Sequence, residues 1–97
     1  MTAERFEREY GATESEWFRG LTGAVAAAAL RRPASGRAEV ALGAGRLHLD
    51  WTVLTPRRIA LMEMPRMTVR FRFEDVDEGE RIAFMRSFDL HLHRGGG

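Results

Sequence analysis

"AEVALGAGRLHLDWTVL" (residues 38–54) is the stretch whose reading sets the fold class. Its apolar residues recur at every second position. Ala38, Val40 and Leu42 share one face of a first run. Leu47, Leu49, Trp51 and Val53 share one face of a second, with Arg46, His48, Asp50 and Thr52 opposite. Such alternation marks strands with one face buried. Gly43-Ala44-Gly45 between the runs is a hairpin signal. The two runs are therefore predicted to pair antiparallel.

Outward from this hairpin the same period continues. "RIALMEM" (58–64) follows a turn at Thr55-Pro56-Arg57 and is apolar on both sides, with Ile59 and Leu61 on one and Ala60, Met62 and Met64 on the other. That pattern predicts a central or covered strand. After Pro65 and Arg66, "MTVRFRF" (67–73) places Met67, Val69, Phe71 and Phe73 inward and Thr68, Arg70 and Arg72 outward. The expected sheet is a four-stranded antiparallel meander.

Both flanks turn helical. Thr13 followed by Glu16 is a capping box. The helix it opens is predicted to run to about Arg32, before Pro33, and to bury Trp17, Leu21, Ala24, Val25 and Ala28. Gly20 and Gly23, spaced with Ala24 and Ala27, permit close approach to the protein's own sheet. "RPASGR" (32–37) is a linker. Residues 74–94 carry Asp77 and Glu80 as a second cap, then an apolar arc of Ile82, Phe84, Met85, Phe88 and Leu92. Arg94 and Gly95 suit a helix C-terminus. Ala3, Phe6 and Tyr10 suggest that residues 1–12 form a short helix or a loose arm. The sum is a two-layer α+β domain over residues 1–94: N-terminal helix, sheet, C-terminal helix, both helices on the apolar sheet face, and a flexible glycine tail at 95–97.

Composition narrows function. A chain of 97 residues that is 44% hydrophobic and 30% charged has a globular balance. It can bury roughly two-thirds of its unfolded surface. A net charge of +1 creates no global field for nucleic acid or an anionic membrane. Every basic residue is arginine, and lysine, asparagine, glutamine and cysteine are absent, which reads as the coding bias of a GC-rich bacterial genome. Lack of cysteine excludes disulfides, thiolate nucleophiles and cysteine–zinc sites. Glu4, Glu7, Glu9, Glu14 and Glu16 give the N-terminus the wrong charge for a signal or transit peptide. The longest apolar run, 21–30, is about half of what a membrane span requires. A cytoplasmic address is expected, with no membrane association.

The candidate interaction face is the polar side of the sheet. It gathers Arg37, Arg46, His48, Asp50, Arg58, Arg70 and Arg72, interrupted by an apolar patch at Met62 and Met64 beside Ala60. Cross-strand pairs of these arginines with Glu39 and Asp50 are the simplest expectation. Methionines mark adaptable binding surfaces. The patch is expected to lie under the N-terminal arm, through Phe6 and Tyr10, or under a second copy of the chain. Arginines on a sheet also grip phosphates. Single-strand platforms need outward aromatics, however, and here they alternate inward.

No catalytic constellation is recognised. Ser15, Ser35 and Ser87 sit in no nucleophile elbow. The acidic cluster from Glu74 to Glu80 reads as helix capping, and His48 with Asp50 as a surface pair rather than base and orienter. Gly43-Ala44-Gly45 lies between strands, not in a phosphate-binding strand–loop–helix setting. His91 and His93 share a face only if extended; on a helix they stand about 200° apart and do not chelate one ion. No metal or cofactor is expected. "HRGGG" (93–97) resembles the Gly-Gly ends of ubiquitin-like and sulfur-carrier proteins. Those families are β-grasp folds, with two strands before the main helix; the predicted order here is different, so no functional residue is carried across.

The expectation is a small non-catalytic interaction or assembly module that binds a protein partner or itself, as a homodimer, through the outer sheet face. The alternative is a small-molecule-binding domain with a pocket between helices and sheet, lined by Trp51, Phe71, Phe88 and Met85. Nucleic-acid binding through the arginines ranks third.

Overall fold

The computed structural model describes residues 4–95. Ala3 of the expected arm and the last two glycines of the expected tail lie outside the described residues. Nine elements of regular structure follow in order: β1 (Arg5–Tyr10), α1 (Glu14–Ala24), β2 (Leu30–Arg31), β3 (Arg37–Leu42), β4 (Gly45–Val53), β5 (Arg57–Ile59), β6 (Met62–Met64), β7 (Met67–Glu74) and α2 (Glu78–Gly95). A 3-10 turn at Ala27–Ala29 precedes β2.

The fold is α+β, with an N-terminal and a C-terminal helix and an antiparallel sheet. The sheet has five strands in the order β1-β7-β4-β3-β2, every pair antiparallel. β7 is flanked by β4 and β1, and the hairpin predicted at Gly43-Ala44-Gly45 is present, with Leu42 opposite Gly45. Both helices send side chains to the apolar face. Trp17 and Leu21 of α1, and Met85 and Phe88 of α2, are buried with Ala38, Val40, Leu47, Leu49, Trp51, Met67, Val69, Phe71 and Phe73. Val76, at the junction of β7 and α2, completes this core.

Four expectations are corrected. First, residues 5–10 are strand rather than helix or loose arm. Phe6, Arg8 and Tyr10 alternate inward and Arg5, Glu7 and Glu9 outward. The inward arginine hides this period, because the Asp89 that offsets its charge lies far along the chain, on α2.

Second, α1 stops at Ala24, not near Arg32. The Thr13–Glu16 capping box forms as expected. At the other end Gly20 and Gly23 weaken helix propensity and the last turn carries no cation. Val25 is already extended, and the chain continues into β2, where Leu30 faces Val40 and packs on the core. Ala28 is accordingly exposed. The glycines approach α2, not the sheet: a Cβ at Gly20 would lie 3.3 Å from Leu92, and one at Gly23 would lie 2.6 Å from His91.

Third, "RIALMEM" is not a central strand. It folds on itself as the β5–β6 hairpin, outside the main sheet, so β4 pairs directly with β7. Two residues, Ala60 and Leu61, make the turn, with Ala60 left-handed at φ 56°. Apolar residues on both sides here reflect a two-residue reversal rather than burial on two faces.

Fourth, Val53 is exposed although its alternation places it inward. It ends β4, next to the departure of the hairpin arm.

Candidate functional site

The residues predicted to share one face are divided between two places. Arg46, His48, Asp50, Arg70 and Arg72 do lie on the outer sheet face. Arg58, Met62 and Met64 lie on the β5–β6 arm.

On the sheet face, register sets cross-strand rows of charged residues, the second of which alternates in sign. One row runs Arg31, Glu39, His48, Arg72, Arg5; the next runs Arg37, Asp50, Arg70, Glu7. Arg37 Nε lies 2.8 Å from Asp50 and Arg46 lies 3.3 Å from Glu39. His48 Nε2 lies 2.8 Å from Glu74, and its Nδ1 lies 3.9 Å from Glu39. The His48 contact holds the Glu74 carboxyl below its usual range. His48 therefore turns to Glu74 and Glu39, and Asp50 to Arg37; the two do not form a base-and-orienter pair. Phe6, Tyr10, Trp51, Phe71 and Phe73 are all on the opposite face, so the outer side has no stacking platform for bases.

The arm is a different surface. Its neck is tied by Leu54 N–H donating to Arg66 O at 3.0 Å and by Arg66 Nε donating to Thr55 O at 2.9 Å. Glu9 of β1 sits between Arg57 (3.9 Å) and Arg66 (3.7 Å). Register makes the hairpin amphipathic. Ile59 opposes Met62 and Arg57 opposes Met64 on one face; Arg58 opposes Glu63 on the other. Arg58 and Glu63 are joined at 3.0 Å. The apolar face has no cover: Ile59 is 55% exposed, Met62 65% and Met64 43%, and Leu61 at the tip is fully exposed. Coverage of this patch by Phe6 and Tyr10 is corrected, because both residues pack against the main core.

The residues expected to line a ligand pocket lie in the core. Trp51, Phe71, Phe88 and Met85 are packed core residues, none more than 6% exposed. A groove of about 510 Å³ lies elsewhere, at the β1 edge between α1 and α2. Arg8, Tyr10, Trp17, Gly20, Asp89 and Leu92 line it, together with Gly11, Ala12, Glu16 and His93. Arg8 pairs with Asp89 and lies over the rings of Phe6 and Phe71. Burial works against the Arg8 charge, but the hydrogen bond and proximity to Asp89, with Tyr10 close by, raise its pKa overall. Tyr10 and Trp17 have ring centroids 5.2 Å apart. Sequence reasoning missed this site because it needs Arg8 and Tyr10 on a strand; the alternation in "RFEREY" is the signal that reveals it.

Burial pushes the Tyr10 hydroxyl above its ordinary value, and the neighbouring Arg8 guanidinium partly opposes this. Tyr10 is the one tyrosine of the chain, so its ionisation reads out cleanly. The absorbance titration of the folded protein is expected to have its midpoint above the ordinary ~10. The unfolded chain ionises first, so the contribution of Tyr10 to stability is present below pH ~10 and declines as pH rises toward the folded value. A midpoint at or below ~10 in the folded protein contradicts this placement.

His91 and His93 both lie within α2, so they do not face one ion together. Among the described residues there is no group of three or more potential metal ligands. No helix among them is long and apolar enough to cross a membrane. No protein-family model matches the chain, and no curated protein matches it in sequence.

Proposed function

We propose that this protein is a non-catalytic assembly module that pairs with a second copy of itself through the β5–β6 arm. The observation that carries the reading is the uncovered apolar face of Ile59, Met62 and Met64, with Leu61 at the tip. A two-stranded hairpin is marginal in water without a surface to pack against. Exposed, contiguous apolar side chains of this kind mark interaction sites. A second arm is the cover that best matches its chemistry. A two-fold axis sets identical patches against each other, apolar on apolar. Of the arm's charges, Arg58 and Glu63 satisfy each other on the opposite side, and Arg57, on the apolar side beside Met64, lies 3.9 Å from Glu9 at the neck. The outer sheet face, with its arginines interleaved by carboxylates, serves in this reading as a solvated surface rather than a phosphate grip.

Size-exclusion with light scattering over a hundredfold range of concentration tests the proposal. The wild-type chain is expected to pass from monomer to dimer. Leu61→Glu with Met62→Glu is expected to stay monomeric and folded, since both side chains are exposed. A wild-type monomer throughout overturns self-assembly. A dimer that the double variant leaves intact overturns the arm as its interface.

A further inference from the structure

Among the described residues, two buried side-chain donors lack an acceptor: the Tyr10 hydroxyl, whose oxygen has the Arg8 guanidinium beside it, and Trp17 Nε1. Both residues line the groove between β1, α1 and α2. A buried donor left unsatisfied costs free energy, so two such donors at one concavity call for a partner. Each of the groove's two carboxylates, by contrast, already accepts a hydrogen bond. Glu16 Oε1 accepts from Thr13 N–H at 2.9 Å in the capping box, and Asp89 accepts from Arg8. The site thus has a surplus of donors, and what complements it is an oxygen acceptor.

Charge and shape narrow the class further. Arg8 and Asp89 offset each other, which leaves Glu16 as the further carboxylate lining the groove. Glu16 is held below its usual pKa chiefly by the Thr13 backbone N–H, so this negative charge is present at neutral pH. An anionic ligand is repelled by it; an uncharged acceptor is not. The walls are the Tyr10 and Trp17 rings and Leu92, with the small residues Ala12 and Gly20 among them. The volume lies within the range of small-molecule sites. We propose that this groove binds an uncharged planar molecule bearing a carbonyl-type oxygen, held by the Tyr10 hydroxyl and the Trp17 indole. The inference is independent of arm-mediated pairing, since no residue of the arm lines the groove.

Coumarin, a neutral aromatic lactone, is the probe. The chain has two tryptophans, so a nitrogen-15 spectrum has two indole signals, and Trp51→Phe assigns them. The Trp51 indole already donates to Glu14 at 2.7 Å. Coumarin is expected to shift the Trp17 signal progressively and leave the Trp51 signal in place. Naphthalene, flat but without oxygen, and 1-naphthoate, which is anionic, are each expected to bind at least about tenfold more weakly. Tyr10→Phe, which keeps the ring and removes the donor, is expected to weaken coumarin about five- to tenfold. Ala12→Trp, placed at the rim, is expected to abolish the Trp17 shift, with the remaining spectrum reporting an intact fold. The proposal is overturned if coumarin leaves the Trp17 signal unmoved, if naphthalene or naphthoate matches it, or if Tyr10→Phe binds equally well.

Discussion

A valine at position 45 is expected to destabilise the protein by at least about 3 kcal/mol, the upper part of the range for overpacking. Gly45 opens β4, directly after the hairpin turn. A Cβ there would lie 2.2 Å from the carbonyl oxygen of Glu74 and 2.3 Å from that of Asp75. Real Cβ atoms do not approach backbone so closely, and neither carbonyl is the end of a flexible side chain. Relief requires moving the chain where β7 passes into α2. That junction is constrained, with Asp75 left-handed at φ 56° and Val76 in the core. The displacement therefore spreads to the β4–β7 pairing at the centre of the sheet. Against a typical total stability of about 5–15 kcal/mol, such a loss leaves a large unfolded fraction at ordinary temperature. Urea denaturation measures it; a variant within about 1 kcal/mol of wild type contradicts the close approach. Ala44, exposed one position earlier in the same turn, supplies the control.

Phe88→Ala is expected to cost about 4 kcal/mol. Phe88 is 1% exposed and joins both helices to the sheet. Its ring meets Trp17 of α1 at 6.0 Å, Phe71 of β7 at 5.8 Å and Phe84 of its own helix at 5.5 Å. Truncation removes the transfer energy of a buried phenyl and opens a cavity among rigid rings, which do not collapse readily into it. Each lost aromatic pair adds about 0.5–1.5 kcal/mol. Leu90, two positions along and 52% exposed, should change by no more than about 0.5 kcal/mol when replaced by alanine. Equal losses at both positions in thermal or urea unfolding would mean that α2 does not present Phe88 to the core.

The legible parts of this fold are those whose reasons are local. Strands β3, β4 and β7 follow from alternation at Val40, Leu47, Leu49, Trp51, Val69, Phe71 and Phe73, all of them buried. The start of α1 follows from Thr13 and Glu16, whose side chains and backbones cap each other within four residues. The donation of Glu80 N–H to Asp77 at 2.8 Å is equally local. Sheet register then carries Arg46, His48, Asp50, Arg70 and Arg72 to one side without further information. The candidate sites were less legible. Met62 and Met64 attracted notice by composition, but their placement on a free arm depended on a turn at Ala60-Leu61 that contains no glycine. The groove was hidden because a charged Arg8 on the inner side contradicts the usual rule for a core-facing strand.

Local periodicity and capping by themselves determined which segments become sheet and helix and which sheet face is apolar. Only the tertiary structure decided that β7 sits between β4 and β1, that residues 57–64 leave the sheet as an arm, and that α1 ends early enough for β2 to form an edge. The physical reason is range. Caps and alternating strands involve neighbours within a few residues. Strand order is a competition among distant partners, as when β1 pairs with β7 and Arg8 meets Asp89 across 81 positions. Its outcome depends on burial and ion pairing that exist only once the chain has closed.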